Sequence, residues 1–246
     1  MLIISAGMQK SGSAYIFNIL NDLLVLSGNC DIRTLREKYH LTDVLLHHNC
    51  NAGKMTYAKV ARLLAVSARE KSFVVKTHEA PTGIISLLLR LGSIKAVYIF
   101  RDPRDALLSA MDHGKRIRQE GKSHTFASLV DFEAALETVK IWLKNWQKWR
   151  GCKGAYLIRY EDLLSDPLSL TEGIAAYLRI SVTADQISAV LSKYQRDRIG
   201  AAEKGTLHFN KGVMNRYRSE MPEEWKAAFR SRMGDVLLRM GYPIDS

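Results

Sequence analysis

Cysteine is scarce in this chain, and the few it has are poorly placed to cross-link. Cys30, Cys50 and Cys152 are odd in number and far apart in 246 residues. That argues against a disulfide framework or a zinc site and points to reduced thiols in a cytoplasmic setting. Long apolar runs are missing too. No window reaches the length of a membrane span, and the apolar N-terminal stretch turns polar after a few positions. No basic region precedes that stretch, so the expectation is neither a membrane partner nor a secretory signal. Linkers, internal repeats and low-complexity segments are also missing. One domain over residues 1–246 is therefore expected, long enough to bury a single core.

Acidic residues are in short supply: 25 Asp and Glu stand against 36 Lys and Arg, a net charge of +11. Such a balance suits nucleic acid, a membrane surface or a polyanionic ligand. Long basic runs, however, do not occur. The cations are scattered, with local density at Lys115-Arg116-Ile117-Arg118 and at Lys211, Arg216 and Arg218. Scatter disfavours a nucleic-acid stripe, which would cluster on one element, and a multiply charged small anion fits better.

What is present begins at the N-terminus. Leu2-Ile3-Ile4-Ser5-Ala6-Gly7 reads as a buried strand that breaks at glycine. Met8-Gln9-Lys10-Ser11-Gly12-Ser13-Ala14 follows, then the helical run Tyr15-Ile16-Phe17-Asn18-Ile19-Leu20. A tight turn feeding a helix N-terminus offers backbone N–H groups and the positive end of the helix dipole, and Lys10 adds a full charge. The nucleotide P-loop, G-x-x-x-x-G-K-(S/T), is not matched, because Lys10 precedes Gly12 instead of following it.

Further apolar runs read as strands: Ser72-Phe73-Val74-Val75-Lys76-Thr77-His78, Ile94 through Arg101, and Ala155 through Tyr160. Helical patterns lie between them, including a long one predicted over 126–149. Alternating strands and helices imply an α/β fold with a central, mostly parallel sheet in three α/β/α layers. In such sheets ligands bind at the carboxyl ends of the strands. Here each strand ends in residues capable of chemistry: Lys10; Lys76-Thr77-His78; Arg101-Asp102-Pro103-Arg104-Asp105; Tyr160-Glu161-Asp162. Singly, each has an ordinary reading. His78 could be a satisfied edge histidine, and Asp102-Pro103 is a typical helix start. Together they would meet at one crevice.

This ordered set resembles the cytosolic-type sulfotransferases that use 3'-phosphoadenosine 5'-phosphosulfate (PAPS). Met8-Gln9-Lys10-Ser11-Gly12-Ser13-Ala14-Tyr15 aligns with the family's 5'-phosphosulfate loop, close to Y-P-K-S-G-T-T-W. Lys76-Thr77-His78 matches its K-T-H in full. Arg101 through Ser109 matches the 3'-phosphate motif R-(N/D)-P-x-D-x-x-x-S, and Tyr160-Glu161-Asp162 with Asp166-Pro167 matches Y-E-D with its following D-P. Asn210-Lys211-Gly212 is a degraded R-K-G. The resemblance implies His78 as the base for an acceptor hydroxyl, with Lys10 and Lys76 at the leaving phosphate. It also implies Lys10, Ser11, Gly12, Ser13, Ala14, Tyr15, Arg101, Ser109, Tyr160, Lys211 and Gly212 as donor-binding residues. No metal is implied, and the partner expected is a small soluble alcohol, phenol or amine.

Three departures from the family pattern bear on the donor. Ala14 removes one hydroxyl donor, Tyr15 replaces the loop's tryptophan, and Asn210 replaces an arginine. The chain also starts almost at the loop, which would leave a more open acceptor site. Acceptor choice would lie in residues 31–54 and 114–125. Residues 195–215, rich in glycine, are expected to form a lid closing over the nucleotide. Two alternatives stand beside this reading: a nucleotide-dependent kinase using Asp102 or Asp162 for magnesium, and a non-catalytic polyanion or nucleic-acid binder.

Overall fold

The computed structural model describes residues 1–195 and 212–244. The expected lid, Asn210 and Lys211 fall wholly or mostly outside the described residues. Four strands, β1 (Leu2–Gly7), β2 (Phe73–Thr77), β3 (Lys95–Phe100) and β4 (Ala155–Arg159), form one sheet in the order β2-β1-β3-β4. All three pairings are parallel. Helices flank the sheet, so the α/β class read from the sequence holds. Every residue of β1 and β2 is buried, which is why both read as continuous apolar runs with no polar alternation.

Strand order locates the site. From β1 the chain moves to β2 on one side, and from β3 it moves to β4 on the other. Connections therefore diverge between β1 and β3, and a crevice opens beyond the carboxyl ends of those two strands. There Gly7 is in register with Ile99. A Cβ on Gly7 would lie 2.6 Å from Ile99 Cγ2 and 3.0 Å from the Ser13 Cβ, so only glycine lets the strand end, the helix start and β3 approach this closely.

Two compact units divide the chain. The first holds residues 1–100 and 145–209 and contains the whole sheet. In it, α1 (Ser13–Leu26) packs Ile19 and Leu23 against Ile187, Val190 and Leu191 of α9 (Ala184–Lys193). The second unit holds residues 101–144 and 210–246. It contains α5 (Pro103–Gln119) and the helix Glu223–Met240, where Trp225 stacks on Phe132 at 4.7 Å. Both Asp-Pro pairs open helices. Asp102 caps α5 by accepting from Arg104 N, and Asp166 caps α8 (Pro167–Leu178) by accepting from Ser169 N, with proline at the first helical position in each.

The long helix differs from the sequence reading. Residues 125–128 form a 3₁₀ turn capped by His124, whose side chain accepts from Phe126 N. The α-helix α6 starts only at Phe132 and runs to Arg150. Asp131 accepts from Ala134 N at 2.9 Å and so fixes the later start, a capping signal that the apolar spacing overrode. None of the described helices is long and apolar enough to cross a membrane.

Gly7→Ala should destabilise the protein by roughly 1–3 kcal/mol through overpacking. Urea denaturation reads this as a lower midpoint at unchanged slope. An unchanged midpoint would mean that the approach to Ile99 is not tight.

Candidate active site

The loop after β1 is shaped for an anion. Lys10 (φ 64°) and Gly12 (φ 78°) both sit in the left-handed region, a conformation that an L-residue such as lysine adopts only at a cost in energy. Gly12 caps α1 without a side-chain hydrogen bond, and no acidic residue occupies the helix's first turn. The helix start is thus left to an external acceptor. Behind the loop, the Tyr160 ring of α7 (Tyr160–Ser165) lies where a Gly12 Cβ would come within 2.9 Å. Ser11 faces inward: its buried hydroxyl lies 2.6 Å from the Met8 carbonyl and 3.2 Å from that of Ile99. That side chain holds the loop to β3, and any donor contact from Ser11 is left to its backbone. Ser13 and Ala14 are buried, and Tyr15 meets Tyr194 edge to face at 6.2 Å.

His78 stands just past β2. Its Nδ1 lies 2.8 Å from the Gly7 carbonyl oxygen. A carbonyl can only accept, so Nδ1 carries the hydrogen and Nε2 keeps its lone pair. The ring's pKa is depressed to about 3, chiefly by burial and then by the charge of Lys76; the Gly7 contact opposes this, and Lys10 adds a smaller lowering. The ring is therefore neutral across physiological pH. Lys10, Lys76 and His78 thus share one electrostatic neighbourhood.

Lys76 is almost fully buried, and its ammonium makes no hydrogen bond among the described residues. Burial depresses its pKa to about 8. A cation held this way is costly until an anion arrives.

The turn carrying His78 is pinned by groups with no motif signature. Thr77 Oγ1 donates to the Gly53 carbonyl at 2.8 Å and accepts from Glu79 N. Asn145 Nδ2 donates to the His78 carbonyl at 3.3 Å, and Trp149 Nε1 to that of Glu79 at 2.9 Å. Asn145 and Trp149 lie four residues apart, one helical turn, and that spacing is the only trace they leave in the sequence.

In the second unit, the buried Arg101 donates to Asp105 at 3.0 Å and to the Val213 carbonyl at 2.6 Å. Gly212 lies just before that carbonyl, in the left-handed region. Asp105 also accepts from Tyr217 N, and Ser109 is buried on α5. Arg104 engages both oxygens of Asp102. The basic cluster suggested at Arg216 resolves differently: Arg216 is buried and pairs with Asp112 at 2.8 Å and Glu220 at 2.6 Å, so its charge is spent internally. Among the described residues, no three His, Cys, Asp or Glu come together to hold a metal ion.

A parallel sheet whose switch point carries an anion loop, a buried lysine and a tautomer-fixed histidine defines a class: α/β proteins that handle a phosphate or sulfate group. The family model of the sulfotransferase domain matches residues 2–241, and the chain belongs to that family. Rat sulfotransferase 2A2 is 25% identical over 119 residues, covering 47% of this chain and 42% of that protein. The match thus spans less than half the length of that relative. The structure of mouse sulfotransferase SULT7A1 complexed with PAP has a TM-score of 0.63 at 14% identity, covering 96% of this chain and 84% of that one. Retinol dehydratase in complex with androsterone and the inactive cofactor PAP also scores 0.63, at 17% identity and with 96% and 80% covered. These two likenesses are of fold.

Lys76→Met should stabilise the protein at pH 7 by roughly 1–3 kcal/mol, because it removes a buried charge. The sign follows from the lowered pKa. Below about pH 8 both folded and unfolded chains carry the proton, so the full cost of burial is present. Between there and the ordinary value of 10.5 the folded state sheds the proton first and the cost fades. Denaturation at neutral and alkaline pH checks this; an advantage that fails to shrink as pH rises would refute the buried-charge account.

Proposed function

We propose that this protein transfers the sulfuryl group of PAPS to a hydroxyl, or an amine, of a small soluble acceptor, with residues 1–246 acting as one cytoplasmic sulfotransferase domain. The observation that carries the reading is the His78 Nδ1 contact with the Gly7 carbonyl, which leaves Nε2 as a neutral base beside two lysines. The donor fits the residues present: an uncapped helix start free of acid, a left-handed loop lysine and a buried cation all favour a sulfate or phosphate end.

The donor supplies a sulfuryl group and leaves with negative charge on the oxygen it shared with phosphate. His78 Nε2 takes the acceptor's hydroxyl proton as the new O–S bond forms and the old S–O bond breaks. Lys10 and Lys76 place positive charge where that oxygen becomes negative, which is the form of stabilisation such loose transition states need. Charge balance also governs the base. A polyanion among the two lysines offsets their share of the His78 depression, so the imidazole regains part of its basicity in the loaded site, while burial, the larger cause, remains. The proton then passes from Nε2 to solvent.

For the 3'-phosphate the proposal keeps Arg101, Ser109, Lys211 and Gly212, and for the nucleotide Tyr15 and Tyr160, on the matched motifs. Asp105 orients Arg101 in advance at 3.0 Å, as a phosphate clamp requires. The kinase alternative loses one of its two magnesium candidates, since the Asp102 carboxylate is bound at both oxygens by Arg104.

His78→Ala should lower turnover by about two to four orders of magnitude, the range for a general base, while calorimetry shows PAP binding intact. Near-normal turnover of labelled PAPS with the preferred phenol or alcohol would sink the assignment. The protein should also bind PAP in preference to 5'-AMP. Ser109→Ala tests that preference more cleanly than Arg101→Ala, which would leave Asp105 buried beside a lost cation. A loss of about 1.5–3 kcal/mol for PAP alone is expected, the range for a hydrogen bond to a charged group; an equal loss for AMP would place Ser109 away from the 3'-phosphate.

A further inference from the structure

A second concavity lies in the first unit, lined by none of the candidate site's residues. It has a volume of about 580 Å³ and two walls. One is Pro81 with Ser86, Leu87 and Arg90 of α4 (Gly83–Arg90); the other runs from Gln147 at the end of α6 through the following turn to Lys153. The groove is built into the fold. Ser86 Oγ and Cys152 Sγ meet across it at 3.2 Å. Gly154, at φ +91°, brings the turn so close to α4 that a Cβ would sit 2.8 Å from the Leu89 carbonyl oxygen.

Its charge is one-sided. No Asp or Glu occurs between Glu79 and Asp102, or between Glu137 and Glu161, the two stretches that form the walls. Arg90, Lys148 and Lys153 are exposed, and none pairs with a carboxylate among the described residues. Beside them Leu87 and Leu91, one helical turn apart, are 44% and 64% exposed. Elsewhere on this protein exposed cations are commonly neutralised, as in Lys38–Glu70, Arg62–Asp43 and Arg232–Glu133.

We propose that this groove docks an acidic segment of a partner protein, with carboxylates on Arg90, Lys148 and Lys153 and an apolar side chain over Leu87 and Leu91. Charge complementarity selects the partner. A second copy of this chain would bring a net charge of +11 to a cationic surface. A single small anion would gain little, because isolated pairs with exposed, hydrated side chains contribute weakly. A segment bearing several carboxylates and an apolar residue engages all three cations and covers the leucines at once, the combination of steering charge and buried apolar centre that makes a specific interface.

The test uses fluorescence anisotropy at low salt with a fluorescein-labelled peptide of repeated Glu-Glu-Leu. Wild type is compared with the variant Arg90→Glu/Lys148→Glu/Lys153→Glu and with the charge-matched control Arg69→Glu/Lys71→Glu/Arg239→Glu, all at exposed positions. The groove variant should weaken binding by about tenfold or more while the control changes it little. Leu87→Ser should also weaken it, and PAP should not compete. Equal weakening by both triple variants, displacement of the peptide by PAP, or no binding by wild type would each overturn the proposal. So would groove-dependent binding of phosphatidylserine vesicles in place of the peptide. Lys153→Glu and Leu87→Ser singly carry the same test if the triple variant does not fold. PAP affinity, measured in parallel by calorimetry, reports on the sulfotransferase reading independently.

Discussion

The end of β1 bears more of this structure than any other point. At Gly7 the strand comes so near β3 that no side chain fits, and the same residue's carbonyl receives the hydrogen of His78 Nδ1. One backbone unit therefore sets the entry angle of the Lys10 loop and the tautomer of His78. Neighbouring contacts follow from it: Met8 N donates to the Ile99 carbonyl at 2.9 Å, and the Ser11 hydroxyl reaches that same oxygen. The Lys10 loop, His78 and the sheet are positioned by main-chain geometry, which is stiffer than side-chain rotamers.

Around this point the protein keeps positive charge where water cannot reach it well. A buried lysine with no hydrogen bond among the described residues costs stability at neutral pH, a cost that a bound anion would offset. The neutral His78 ring costs stability only in acid, where the unfolded chain takes up a proton that the folded one refuses. The second unit behaves in the opposite way: Arg104 is matched by Asp102, and Arg216 by Asp112 and Glu220. Internal neutralisation of one set of cations and exposure of another divides structural from available charge, a distinction that net charge alone conceals.

The sheet and its site were legible because fully buried parallel strands are apolar throughout and end abruptly in chemistry-bearing residues. Lys10, Lys76 and His78 could be read as a group from that rule, and the Asp-Pro pairs as helix starts. Other features left no such mark. Ser11 looks like a ligand residue in sequence, yet its hydroxyl points at two carbonyls, since hydroxyl direction depends on what lies opposite in β3. Asn145 and Trp149 pin the His78 turn from a helix some 67 and 70 residues away, contacts that no local pattern encodes. The start of α6 was missed because the apolar spacing extends back through Phe126, while the cap at Asp131 decides the matter.

Lys10 has a consequence for engineering. Its left-handed backbone is a place where glycine or asparagine would relieve strain, yet the proposed reaction needs its charge. Selection for heat resistance alone would favour its replacement, and on that proposal the variants that emerge would be sturdier and inert. Consensus or thermal-shift libraries for this fold are best built with position 10 held fixed.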